Sequence, residues 1–363
     1  MNAVFIVQGE GRGHMTQALA LAHFLRAAGH DVTRVMVGTS PFRSLPSYFA
    51  DQIGAPVSTF DAPTQVPDRA GRRASPTATV GDVVRRMPAF VRSIRRIRRA
   101  VAGADVAVNF LDLMGGLSRL LPGVQTPSVA IAHNYVFLGR NVVGLPGPSS
   151  TRAAVLTYVQ ATATGSVLRL ALSFGPSEGD PGPGLAVVPP LLRPGLDALH
   201  TSDRGYLLAY ALNPGYGELL ARWHRRHPNA EVHCYVDGGP AALTSPAERG
   251  FHIHDLDAAA FLRHLSGCRA YVGSAGFESI CEAFYLGKPV LAVPTVGHFE
   301  QRLNGWDAER VGAARVGSYH DLDSFWEAPP VPSQAAVRDF RSWVARAPES
   351  IVRLVERAAR ASS

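Results

Sequence analysis

Residues 271–304 read Tyr271-Val-Gly-Ser-Ala-Gly-Phe-Glu-Ser-Ile-Cys-Glu-Ala-Phe-Tyr-Leu-Gly-Lys-Pro-Val-Leu-Ala-Val-Pro-Thr-Val-Gly-His-Phe-Glu-Gln-Arg-Leu-Asn304. A short apolar strand runs into a glycine turn and one helix. Gly287-Lys288-Pro289 breaks that helix, and a second buried strand leads into a polar loop. A strand–turn–helix aims unsatisfied backbone N–H groups and the positive end of a helix dipole at one spot. That spot suits a phosphate. Glu282, Glu300 and Gln301 are placed where they can reach hydroxyl groups, so the stretch reads as a site for a sugar nucleotide.

Working outward, the alternation of strand and helix continues. Residues 206–212 form a strand, and Asn213-Pro214-Gly215-Tyr216 turns into a helix ending near His227. Strands follow at 231–236 and 251–254, Asp257 caps a helix over 258–264, and the strand at 269–273 feeds the opening stretch. This pattern predicts a parallel α/β sheet. A second such sheet starts the chain: a strand at 3–7, the turn Gly9-Glu10-Gly11-Arg12-Gly13-His14, a helix closed by Gly29, and a strand at 32–37. Right-handed parallel pairing is the default for such a unit.

The first turn is not a dinucleotide fingerprint, because His14 occupies the third glycine position and no acidic residue clearly follows the second strand. Its glycines still let backbone approach a ligand closely. Strands at 106–110 and 128–132 end in Asn109-Phe110-Leu111-Asp112 and His133-Asn134-Tyr135. Polar side chains at the carboxyl ends of parallel strands point into the functional crevice. Convergence of His14, Asp112, His133 and Asn134 is therefore expected, and Asp112 equally fits a helix N-cap.

Residues 40–79 carry little pattern, and 61–79 read as a loop. Residues 83–101 form a basic helix with Phe90, Ile94, Ile97 and Val101 on one face, its regular part starting near Pro88. Packing on the sheet is the favoured reading, and contact with a membrane surface is the other. Residues 175–195 are dense in Gly and Pro and read as a linker. The domains expected are 1–195, 196–334 and a helical tail, 335–363, crossing back to the first.

The 363 residues carry a net charge of +7, almost all of it arginine, since Lys288 is the only lysine. No aromatic–basic interleaving or DNA-reading motif accompanies that charge, so no nucleic-acid partner is expected. The three cysteines form no CxxC pair and imply neither a disulfide framework nor a zinc site. The apolar run at the start is short for a signal peptide and lacks a basic flank. A cytoplasmic protein is expected, with peripheral contact at the inner membrane face through the basic helix as the alternative.

Two doubly wound sheets, a glycine turn ending in His14 and the motif at 271–304 together resemble inverting glycosyltransferases of the GT-B fold. The nearest kin by this resemblance are the UDP-dependent glycosyltransferases and the bacterial transferases that add N-acetylglucosamine to a lipid-linked muropeptide. It implies two Rossmann-like domains facing each other across a cleft, the first for acceptor and base, the second for the nucleotide sugar. The plant signature His-Cys-Gly-Trp-Asn-Ser-x-x-Glu corresponds to Ser274-Ala275-Gly276-Phe277-Glu278-Ser279-Ile280-Cys281-Glu282. By resemblance, Ser274, Gly276 and Ser279 lie at the diphosphate and Glu282 accepts from the ribose. Glu300-Gln301 holds hydroxyls of the transferred sugar, and Asn304 matches a following Asn. Gly11, Gly13, Asn213, Phe277, Glu278 and His298 complete the donor side, and His133 and Asn134 belong to the acceptor side. Ser274 and Glu278 depart from the family's His and Asn, which leaves the donor sugar open. Retaining relatives carry a Glu eight residues before the second Glu; here that position is Ser274, which favours inversion.

Inversion needs one displacement at the anomeric carbon, with a base to take the acceptor proton. The resemblance puts the base at His14, a residue type that titrates near neutrality, with Asp112 orienting it and Asn109 as the rival partner. Donors at the start of the 276–279 helix would stabilise the leaving diphosphate without a metal or other cofactor. The Asp-Leu-Asp runs at 255–257 and 321–323 are weak metal signals. A UDP-sugar donor and a saccharide, glycolipid or small-aglycone acceptor are expected. A sugar-nucleotide epimerase or hydrolase, and a catalytically silent nucleotide-binding protein, are the alternatives.

Overall fold

The structure is a computed structural model, and it describes residues 1–41, 45–64, 66, 75–140, 142–177, 179–211, 214–243 and 248–360. The chain divides into two compact units. The first takes Met1–Val66, Pro76–Pro194 and Ser342–Ser363, and Gly195–Arg341 belongs to the second.

In the first unit the order is β1 (Asn2–Gln8), α1 (Arg12–Ala27), β2 (Asp31–Thr39), α2 (Ser47–Ile53), β3 (Val57–Asp61), α3 (Pro76–Val101), β4 (Val106–Phe110), α4 (Leu113–Leu117), β5 (Ser128–Ala132), α5 (Ser149–Thr162), β6 (Leu168–Leu172) and β7 (Leu185–Val188). They build a seven-stranded sheet in the order β3-β2-β1-β4-β5-β6-β7. Every pairing is parallel. The inner strands are continuous apolar runs because helices cover both faces; β4 and β5 are buried at every position. The order reverses between β1 and β4, the place in such sheets where ligands gather beyond the strand ends.

Three features differ from the sequence reading. Residues 40–79 hold a short helix, α2, and an edge strand, β3, which buries only Phe60 and gives no apolar run. The stretch read as a linker contains β7, four residues paired with β6. Helix α3 begins at Pro76 and carries Pro88 inside it. Proline there removes the bond to the Val84 carbonyl, on a side of the helix where Val84 and Met87 are exposed and water can take that role. The opposite side, with Phe90, Ile97 and Val101, packs on Val4, Ile6 and Met36 of the sheet. An apolar stripe of Val80, Val84, Met87 and Val91 stays exposed at helical spacing. No described helix is long and apolar enough to cross a membrane.

The second unit continues with β8 (Leu207–Ala211), α6 (Pro214–Arg226), β9 (Val232–Val236), β10 (Phe251–His254), α7 (Ala258–Gly267), β11 (Ala270–Gly273), α8 (Phe277–Tyr285), β12 (Val290–Ala292), α9 (Phe299–Arg310), β13 (Arg315–Val316) and α10 (Leu322–Glu327). Its six parallel strands lie in the order β10-β9-β8-β11-β12-β13, reversing between β8 and β11. One face is the main core, where Trp223 and Leu220 of α6 and Phe325 of α10 meet Leu207, Val232, Cys234 and Val272. The Gly-Lys-Pro turn is fastened from inside: the buried Lys288 ammonium donates to the carbonyls of Ser202 (2.6 Å) and Cys268 (2.8 Å).

Helix α11 (Gln334–Val344) is followed by α12 (Ala347–Arg360), which packs on α1, β4, β5 and β7 of the first unit. His30 Nε2 lies 2.8 Å from Glu356 Oε1, and the Trp343 indole donates to the Ser173 carbonyl at 2.9 Å.

Candidate active site

In the first unit the site is built where β1, β2 and β4 end. Gly9 is required by close packing, since a Cβ there would stand 2.0 Å from the Gly38 carbonyl oxygen. Gly38 is required in turn, because its Cβ would meet Asp112 Oδ2 at 2.6 Å. Gly11 is different. It is the N-cap of α1 with ordinary extended backbone, and a Cβ would touch only His14 Cδ2, at 3.8 Å. The fold leaves a glycine here without a packing reason, and no side chain caps the first turn of α1.

Gly13 and His14 lie in that first turn. His14 is 8 % exposed, and its Nδ1 is 3.3 Å from Gln17 Oε1. A carboxamide oxygen only accepts, so Nδ1 carries the hydrogen and Nε2 keeps a lone pair. The pairing expected between His14 and Asp112 is therefore not made. Asp112 is the N-cap of α4, its Oδ1 accepting from the Gly115 N–H at 2.7 Å. Asn109, the other expected partner, is spent on the same turn. Its Oδ1 accepts from the Asp112 N–H, and its Nδ2 donates to the carbonyls of Asp112 and Thr162. These bonds hold Leu111 at φ 55°, the left-handed region where a branched side chain is strained. Burial pushes the Asp112 carboxyl up to about 7, against the two backbone N–H groups that favour its charge.

Gln17 was not singled out from the sequence. It stands three residues after His14, the spacing at which helical side chains meet, so the signal was present. His133 and Asn134 are 1 % and 3 % exposed and form part of the packed wall. The His133 Nδ1 donates to the Leu172 carbonyl at 2.8 Å, and its ring meets the edges of Phe137 and Phe174.

In the second unit the turn after β11 repeats the logic of α1. Gly276 caps α8 at φ −81°, ψ 130°, with no side-chain cap bond. A Cβ there would make only ordinary contacts, 3.6 Å to Ser279 Oγ and 3.8 Å to the Ser274 oxygen. Phe277 and Glu278 of the first turn are buried, while Ser274, Gly276 and Ser279 are partly exposed. Ser279 Oγ donates to the Gly276 carbonyl, and no side chain caps the first turn of α8. Glu282, expected at the ribose, is 0 % exposed. Asn304 donates to the Ala275 carbonyl at 3.2 Å and braces the turn from below.

The loop after β12 is fixed by two side-chain bonds. Gln301 Oε1 accepts from the Thr295 N–H at 2.7 Å, and His298 Nδ1 accepts from the Gln301 N–H at 3.4 Å. His298 is thus the N-cap of α9, and its Nε2 carries the hydrogen as an outward donor. Glu300 lies in the first turn of α9, partly exposed. Asn213 lies outside the described residues. The Asp-Leu-Asp runs serve the fold: Asp257 caps α7, Asp321 closes a capping box with Ser318, and Asp323 accepts from the Trp223 indole.

Residues 181–326 match the family model described as Glycosyl transferase family 1. No curated protein matches the chain. Among solved structures, the glycotransferase of kitacinnamycin is similar at TM-score 0.62 and 16% identity, over 98% of this chain and 99% of that one. MurG of Acinetobacter baumannii is similar at TM-score 0.55 and 15% identity, over 98% and 99%. The glycosyltransferase SsfS6 of Streptomyces sp. SF2575, complexed with thymidine diphosphate, is similar at TM-score 0.56 and 16% identity, over 98% and 99%. These likenesses give the fold, and the family match is confined to 181–326. By these likenesses the chain has the GT-B fold, and within it residues 181–326 match a glycosyltransferase family model.

Proposed function

We propose that the chain is an inverting, metal-independent glycosyltransferase that moves a sugar from a nucleoside diphosphate to a hydroxyl acceptor. His14 Nε2 takes the acceptor proton, the acceptor oxygen bonds to the anomeric carbon, and the bond from that carbon to the diphosphate breaks. The diphosphate leaves with the electron pair and is received by the N–H groups of the first turn of α8, a preorganised electrostatic partner of the kind that does not need an ion. The observation that carries this reading is Gly276: neither its backbone angles nor its packing calls for glycine, whereas a phosphate drawn against the helix end does. Ser274, standing where retaining relatives carry Glu, favours inversion. Glu300, Gln301 Nε2 and the Nε2–H of His298 offer one acceptor and two donors for sugar hydroxyls.

UDP and dTDP are the nucleotides to test first, the former from the sequence resemblance and the latter because SsfS6 was crystallised with it. The acceptor side is read from α3, whose stripe of Val80, Val84, Met87 and Val91 fits an acceptor with an apolar body. Peripheral membrane contact by the same helix is read by cosedimentation with anionic vesicles.

A thermal-shift panel of UDP, dTDP and GDP with their sugars tests the reading, since a ligand at 100 times its Kd stabilises by about 2.7 kcal/mol. No shift with any nucleotide would count decisively against a donor site. Gly276→Thr sharpens the test. Threonine is about as good an N-cap as glycine, so the unliganded Tm should hold. Its hydroxyl takes the N–H groups meant for the diphosphate, and the nucleotide Kd should rise by at least ~10-fold, the scale of one charge-assisted hydrogen bond.

A further inference from the structure

The second unit gathers four histidines beside its sheet, away from the donor turn. His233 of β9 pairs in register with His252 of β10, and His254 pairs with Tyr235. A period of two sets residues 233, 235, 252 and 254 on one face, opposite the core face of Val232, Cys234 and Val236. Helix α7 covers that histidine face and brings His264, in its last turn, over it. His233 Nδ1 lies 2.9 Å from His254 Nε2, and these two rings are stacked within 5°. The His264 ring centroid is 4.2 Å from that of His233. One ring nitrogen from each of His233, His254 and His264 lies within 4.8 Å of the other two.

Two of these rings are also held from behind. His233 Nε2 is 3.1 Å from Glu231 Oε1, and His264 Nδ1 is 2.6 Å from the Tyr235 hydroxyl. A ligating histidine commonly has its other nitrogen fixed in this way by a carboxylate or another polar group, which sets the tautomer and the aim of the ring. Burial lowers the pKa of all three rings, that of His264 to about 4, so they stay neutral as metal ligation needs.

We propose that His233, His254 and His264 form a binding site for a divalent cation of borderline softness, Zn²⁺ first, with Glu231 and Tyr235 orienting the ligands. Three imidazoles with a fourth, open position make a usual zinc set, with Zn–N of about 2.0–2.1 Å and hence nitrogens about 3.3 Å apart. The 2.9 Å pair opens slightly and the third nitrogen draws in. The overlapping group Glu231, His233 and His252 is the poorer site, since Glu231 and His252 are about half exposed. Glu231 is better placed as the hydrogen-bond partner of His233. The ion would tie the edge strand β10 to β9 and α7. Helix α7 leads into the start of β11 while the donor turn leaves its end, so the site lies apart from the diphosphate turn.

The test uses the full chain without a histidine tag, stripped with chelator and titrated with Zn²⁺ by calorimetry and with Co²⁺ by visible absorption. One ion per chain, a raised Tm and a tetrahedral Co²⁺ spectrum are expected. His254→Ala and His264→Ala should each weaken binding by at least ~10-fold, and Glu231→Gln by roughly 10–100-fold, while His252→Ala leaves it unchanged. Failure of the unaltered chain to take up either ion, with no change in Tm, overturns the proposal whatever the variants do. So does binding that survives His264→Ala and is lost in His252→Ala.

Discussion

His14→Ala should lower the rate of sugar transfer by roughly 10²–10⁴-fold, the contribution of a positioned general base, without changing the Kd of the nucleotide. The base and the phosphate-binding turn belong to different elements, α1 and α8, so one can be removed while the other stays intact. The Nε2 lone pair depends on the hydrogen that Nδ1 shares with Gln17. Gln17→Ala should therefore lower kcat by a smaller factor, as the ring loses its preferred tautomer, with donor affinity unchanged. Transfer by His14→Ala within ~10-fold of the unaltered enzyme would remove His14 from the mechanism. Donor hydrolysis supplies a rate even before the acceptor is identified, and an enzyme that only hydrolyses or epimerises its donor would show itself in the same assay.

The second large effect is on stability, and it turns on Asp112. Burial raises its carboxyl from the ordinary 3.8 to about 7. Below about pH 4 the folded and unfolded chains both hold this proton. Between about pH 4 and 7 the unfolded chain releases it and the folded chain retains it, so stability falls by about 1.4 kcal/mol for each pH unit. The loss is complete above about pH 7 and amounts to roughly 4 kcal/mol. Asp112→Asn keeps the cap, because the carboxamide oxygen accepts from the Gly115 N–H as the carboxylate does, and it removes the ionisation. Denaturant midpoints measured from pH 4 to 8 should fall for the unaltered chain and stay nearly level for the variant. A variant curve parallel to the unaltered one would place the titration elsewhere. Transfer by the same variant separates two roles for Asp112. A rate within ~10-fold of normal fits a cap, and a loss as large as that of His14→Ala would mean that the carboxylate acts on the imidazole.

The parts that read well from sequence were those whose signal is local. Both glycine turns, the helices behind them and the parallel strands of 2–8 and 270–273 follow from apolar runs punctuated by glycine. What did not read from sequence depends on pairing. Strand β3 buries only Phe60, and β7 is four residues inside a Gly-Pro stretch; both exist because a neighbouring strand offers hydrogen bonds. Pro88 looks like a helix start, but tertiary packing of Phe90, Ile97 and Val101 carries α3 through it. At Asp112 two readings fitted the residue equally, and only the geometry shows the carboxylate turned to Gly115. The histidine group is the clearest case. His233-Cys-Tyr235 and His252-Ile-His254 alternate correctly for one sheet face, yet nothing local says that these strands lie side by side or that α7 folds His264 onto them.

Lys288 has a practical consequence for anyone handling the protein. It is the only lysine, and its ammonium is buried between two carbonyl oxygens. Amine-directed labels, cross-linkers and coupling resins therefore find no ready lysine side chain on the native fold. A gain in lysine labelling during heating would report unfolding around the Gly-Lys-Pro turn.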